Sequence, residues 1–202
     1  MNGRWIEKNK KVTRATIVQK KEDDLDVVKS HFGNEVRRRL PWIFVSILAG
    51  IIMIWVGQSF ESTLFRKTEL IFFIPMIVYM SDSIGTETLA LFIRELALKR
   101  FSMKHLIIKE SLVGLFLGFA SGASMGLFSY IWFEDTSIAA IVAIAMTING
   151  ILAVLIGMTF PMIFHKFNLD PALGTDELTT AVSDNLSMLI YFVVSTAIIL
   201  GA

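Results

Sequence analysis

Along this chain, apolar runs long enough to cross a bilayer alternate with short charged connections. A helix needs about 20 apolar residues for such a crossing. Leu40–Phe60 meets that requirement with no charge inside, and so does Ser111–Phe133. Thr136–Phe164 is longer than a crossing requires, so it must tilt, kink at Pro161 or project beyond the membrane. The last run, Leu178–Ala202, carries Asp184 as its single charge. Between the first two of these lies an interrupted run: Leu70–Met80, then the polar stretch Ser81–Glu87, then apolar residues up to Arg94. Its apolar parts are too short separately, and Pro75 and Gly85 are expected to break the helix and free backbone carbonyls. The pattern predicts an all-α membrane protein with five transmembrane helices, at about residues 40–60, 69–98, 106–133, 136–165 and 176–201.

Residues 1–39 are polar and separate from the membrane part, 40–202. Leu25, Val28, Phe32 and Val36 have helical spacing, and Asp23 and Asp24 precede them as a helix start prefers. This predicts a short cytoplasmic amphipathic helix over 22–39, with a disordered tail as the alternative. Lys8, Lys10, Lys11, Lys20 and Lys21 are candidates to meet anionic lipid headgroups. Basic residues concentrate in alternate connections: Arg37–Arg39, the group Lys99, Arg100, Lys104, His105 and Lys109, and His165–Lys166. Basic loops face the cytoplasm, so the N-terminus is placed inside the cell (inner) membrane and the C-terminus outside.

Composition narrows the chemistry. Hydrophobic residues make up 54% of the chain, and the net charge is +1. That balance gives no support for a nucleic-acid partner. There is no cysteine, which excludes disulfides and thiolate metal sites. The first apolar run begins too late and is too long to be a cleavable signal.

A carboxylate inside a membrane helix costs on the order of 2.5 kcal/mol or more unless it faces water, a partner or an ion. Asp184 is therefore the leading site candidate. Asp176, Thr180, Ser183, Asp184 and Ser187 are expected on one face of the last helix, a line of oxygens roughly 12 Å long between the two aspartates. Asp82, Ser83, Thr86 and Glu87 form a second oxygen-rich patch at the middle of the second span. The three histidines lie outside the spans, so every intramembrane ligand is hard oxygen. Such sets suit Mg²⁺, Ca²⁺ or Mn²⁺, and a few carboxylates around a hydrated ion is the usual mode for Mg²⁺. Glu95 and Glu110, near the cytoplasmic boundary, read as paired or solvated. Gly114, Gly118, Gly122 and Gly126 form a bare stripe for close helix packing, within or between subunits.

Three segments, in order, resemble the MgtE-type magnesium transporter family. They are RRRLPWIFVSILAG (Arg37–Gly50), FFIPMIVYMSDSIGTETLALFIRELAL (Phe72–Leu98) and NLDPALGTDELTTAVSDNLSMLIYF (Asn168–Phe192). The last has the family's Leu-Asp-Pro-Ala run, with 13 positions from Pro171 to Asp184. The resemblance implies a homodimer that moves hydrated Mg²⁺ along its subunit interface, rather than an enzyme. It assigns the ion to Asp184 from each subunit, with Thr180 and Asp176 at successive turns toward the cytoplasm. It departs from the family pattern by adding carboxylates at Asp82, Glu87, Asp176 and Glu177. Typical members also have a cytosolic N-terminal domain and paired CBS domains that have no counterpart in residues 1–39. An acidic mouth of Asp170, Asp176 and Glu177 is the expected substitute sensor. The other readings are an exchanger coupling Mg²⁺ or Mn²⁺ to Na⁺ or H⁺, an intramembrane aspartyl protease using Asp82 and Asp184, and an inert scaffold.

Overall fold

A computed structural model describes residues 32–98, 103–167 and 174–201. The chain divides into two units, Met1–Pro41 and Trp42–Ala202. In the first, the described residues belong to the start of helix α1, Phe32–Ser59. The amphipathic pattern over 22–31 and the lysine-rich segment before it lie outside the described residues.

The second unit is helical, with no strand among the described residues. After α1 come a short helix α2 (Glu61–Arg66), a 3-10 turn at Thr68–Phe73, α3 (Ile74–Leu98), α4 (Met103–Phe133), α5 (Thr136–Lys166) and α6 (Thr175–Gly201). Five segments are long and apolar enough to cross a membrane: Arg39–Ser59, Thr68–Leu96, Lys104–Phe133, Thr136–Lys166 and Thr175–Gly201. The number agrees with the hydropathy pattern.

The expected break in the second span is absent. α3 runs unbroken through the polar stretch Ser81–Glu87. Pro75 falls in its first turn, where the missing N–H has no helical partner to lose. Inside the helix the hydroxyls satisfy themselves on the preceding turn: Thr86 donates to the Asp82 carbonyl at 2.9 Å and Thr88 to the Ile84 carbonyl at 2.9 Å. Gly85 serves packing instead. A Cβ placed at Gly157 of α5 would lie 2.6 Å from the Gly85 carbonyl oxygen, so these two helices touch backbone to backbone. The irregular backbone sits earlier, in the 3-10 turn. α5 likewise continues through Pro161 to Lys166. Its 31 residues give roughly 46 Å of helix, well beyond the hydrocarbon thickness.

The glycine stripe of α4 is consumed within the chain. Cβ atoms at Gly118 and Gly122 would come 2.7 Å from the Thr147 carbonyl and 2.5 Å from the Ala143 carbonyl of α5. α5 is the central helix, packed by α3, α4 and α6. Leu70, Ile77, Ile141, Val142, Tyr191 and Phe192 form the main core. Tyr191 satisfies its buried hydroxyl by donating to the Leu70 carbonyl at 2.8 Å, which anchors the 3-10 turn to α6. α1 contrasts with α5. No residue of Trp42–Ser59 is buried, and Ile54 and Trp55 are 68% and 67% exposed.

One ion pair joins two connections at the end of the bundle. Lys67 donates to Asp135, whose other oxygen caps α5 by accepting from the Ser137 and Ile138 amides at 2.8 and 3.2 Å. The Lys67 ammonium, aided by those amides, holds the Asp135 carboxyl below the usual carboxylate range.

Candidate functional site

The site is built on α6, and α6 begins against a wall. Gly174, at φ +81°, leads into the helix, and a Cβ there would stand 2.1 Å from the Trp42 ring. Only glycine suits both that backbone and that gap. Asp176 and Glu177 occupy the first turn of α6, where unpaired amides favour negative charge.

From there the polar residues of α6 separate into two stripes. Thr175, Thr179, Ser183 and Ser187 recur every fourth position and are buried. Ser183 and Ser81 of α3 place their hydroxyl oxygens 3.0 Å apart, and Asn149 of α5 donates to the Ser187 carbonyl at 3.2 Å. This stripe docks α6. Asp176, Thr180 and Asp184 form the second stripe, one residue further round. The sequence pattern expected Ser183 and Ser187 on the same face as the aspartates. The bundle turns them inward, because a step of one residue rotates a helix by roughly 100°.

The aspartate stripe meets α3 at Asp82. Thr180 donates to the Asp82 carboxylate at 2.8 Å. Asp82 is close enough to act electrostatically on both Asp176 and Asp184. Asp82, Asp176, Thr180 and Asp184 are thus brought together by two helices. Ser83 and Glu87 are not; they lie on the exposed flank of α3, one residue on from Asp82 and Thr86.

Asp184 is half-buried, and one of its carboxylate oxygens is buried without a hydrogen-bond partner. Buried polar atoms in folded proteins are nearly always satisfied, so this oxygen is one that water, a partner or an ion would meet. Among the described residues, no three His, Asp or Glu side chains converge tightly enough to cage a bare ion. What the site offers is sparse carboxylate and hydroxyl oxygen, the ligand type that hard cations take.

Two positions carry weight that the sequence pattern did not reveal. Asn185, beside Asp184, donates to the Ala181 carbonyl at 2.8 Å and to the Ala49 carbonyl of α1 at 3.1 Å. It ties α1 to α6 at the level of Asp184. Asn149 does the same for α5. An amide inside a membrane span was the available signal, since such groups bridge helices.

A family model described as a divalent cation transporter, MgtE, matches residues 74–194. The chain is 33% identical to the magnesium transporter MgtE of Bacillus subtilis over 165 residues, covering 80% of this chain and 37% of that protein. It is 28% identical to the proteins of the same name from Enterococcus faecalis, covering 84% and 38% of the two chains, and Thermus thermophilus, covering 78% and 35%. The chain thus spans less than two-fifths of the length of these relatives.

Proposed function

Because this chain belongs to the MgtE family of divalent cation transporters, we propose that it carries hydrated Mg²⁺ across the membrane. Two copies form the path, each contributing Asp184. The orphaned Asp184 oxygen is the observation that carries this reading. A second Asp184 and a shared hydrated ion would satisfy both oxygens at once. Thr180 and Asp176 line the approach from the cytoplasmic side, and Asp82 adds negative field from α3. Ser83 and Glu87 are exposed on α3, and the Glu87 charge would help draw cations toward the site. The membrane potential supplies about 2.3 kcal/mol per charge per 100 mV, so a divalent ion gains about twice that on entry. No step needs a nucleotide.

The test is Mg²⁺ uptake by the purified chain in liposomes under an imposed potential. Wild type should conduct, and Asp184→Ala should not. Uptake that survives Asp184→Ala would refute the assignment. Competition with Mn²⁺, Ca²⁺ and Na⁺ ranks the cargo, and dependence on a Na⁺ or H⁺ gradient would favour exchange over a channel. The absence of cysteine makes the dimer testable as well. Thr180→Cys on each copy should crosslink across the path.

A further inference from the structure

Away from the aspartates, the end of α3 and the start of α4 enclose a cavity of about 230 Å³. Its polar lining is Arg94, Glu95, His105, Lys109 and Glu110, over the apolar side chains of Phe92 and Leu106. The charges are layered. Arg94 and Lys109 are 66% and 63% exposed, whereas Glu95 and Glu110 are 30% and 8% exposed. Each cation lies beside the acid that follows it, at 3.7 Å for Arg94–Glu95 and 3.4 Å for Lys109–Glu110. The mouth is basic and the depth acidic.

His105 and Lys109 also head a second, larger space of about 510 Å³. It is an apolar groove along α4, walled by Ile108, Leu112, Val113, Phe116 and Leu117. These side chains are substantially exposed, with Phe116 at 71%. The opposite face of α4 carries the glycines that pack on α5, so this groove looks outward from the bundle.

We propose that the cavity and groove together bind one aminophospholipid, a phosphodiester headgroup that ends in a primary ammonium. The acyl chain lies in the groove. The phosphate meets Arg94 and Lys109 at the mouth, where guanidinium and ammonium groups pair well with phosphate oxygens. The headgroup ammonium turns inward to Glu110 and Glu95. A primary ammonium has hydrogens to donate to a buried carboxylate, and a trimethylammonium has none. A purely anionic headgroup would draw Arg94 and Lys109 from the acids they pair with and bring no cation in exchange. Basic pockets between membrane helices on the cytoplasmic side are established places for lipid headgroups, and the acidic floor is what narrows the choice here.

The test is native mass spectrometry of the full chain, purified in detergent and offered equimolar phosphatidylethanolamine, phosphatidylglycerol and phosphatidylcholine of identical acyl chains. The ethanolamine lipid should be retained in preference to both others. Glu110→Gln should cut that preference about tenfold, as for loss of a charged hydrogen bond. Lys109→Gln, at an exposed position, should weaken retention about fivefold. Phe116→Ala should weaken retention of the ethanolamine lipid without changing the oligomeric state. Three results would overturn the proposal. One is the glycerol lipid retained at least as well as the ethanolamine lipid, or all three retained alike. Another is soluble phosphoethanolamine protecting the chain against heat as well as the lipid does, because the groove then plays no part. The third is a change of oligomeric state in Phe116→Ala, which would make the groove an interface with a second copy.

Discussion

Asp82 is the carboxylate whose removal tests the site most sharply. Asp82→Asn keeps the shape and an oxygen to accept from Thr180, and deletes one charge. Asp82 is joined to Thr180, and Thr180 lies one turn, roughly 6 Å along the axis, from Asp184. A cation held at Asp184 therefore sits about 8 Å from the deleted charge. For a divalent ion that separation gives about 1 kcal/mol in water and about 4 kcal/mol at an effective dielectric of about 20. Asp184 is half-exposed and the ion is hydrated, so the low end applies. We expect about 1–2 kcal/mol, which is about a five- to thirtyfold rise in the Mg²⁺ concentration for half-maximal uptake. The assay is a concentration series of Mg²⁺ uptake in liposomes at low and high ionic strength. Part of the effect should persist in high salt, because charges within a protein are screened less than exposed ones. A half-maximal concentration unchanged within twofold would place Asp82 outside the field of the ion and refute the reasoning. Thr180→Val is the companion variant. It keeps the charge but frees it from α6, and should have a smaller effect than Asp82→Asn.

Three further outcomes follow from the packing and the connections. Asp135→Ala loses both the cap on α5 and the pair with Lys67, for about 1–2 kcal/mol, while Asp135→Asn keeps the cap and should lose less than half of that in thermal unfolding. Because the folded Asp135 carboxyl lies below its ordinary value, its contribution is full above about pH 4 and is lost as pH falls through the folded value. Wild type should therefore lose stability in that acidic window by more than Asp135→Asn does. Gly122→Ala puts a methyl 2.5 Å from a backbone oxygen of α5, and neither backbone can yield cheaply. A loss of about 1–3 kcal/mol is expected in detergent unfolding, and an unchanged midpoint would show that α4 and α5 slide freely.

How much of this was legible in the sequence depends on which force decides each feature. The five spans were legible because hydropathy at bilayer length acts locally. Asp184 could be named as a candidate because a charge in such a span is costly wherever the helix packs. The continuity of α3 was not, because Pro75 and Gly85 look like breakers until their neighbours are known. Pro75 turns out to lie in a first turn, and Gly85 to lie against Gly157. The division of α6 into a docking stripe and an aspartate stripe also required the partner helices. Ser183 and Asp184 differ by one position, and the contacts of Ser183 with Ser81 and of Ser187 with Asn149 turn the serine stripe inward. Asp82 could be named from its chemistry, but its contact with Thr180 joins residues 98 apart in the chain.

The tight seam between α4 and α5 bears on how this protein is made. Only Glu134 and Asp135 separate the two helices, and their contact is between immediate neighbours in the chain. Such a hairpin closes early, with little loop entropy to overcome. α6 is made after α3 and α5, the two helices it packs against. Its aspartate then enters lipid beside helices that already present Asp82, Ser81 and Asn149. The order of synthesis thus lets Asp184 enter beside polar groups of α3 and α5 that its helix packs against.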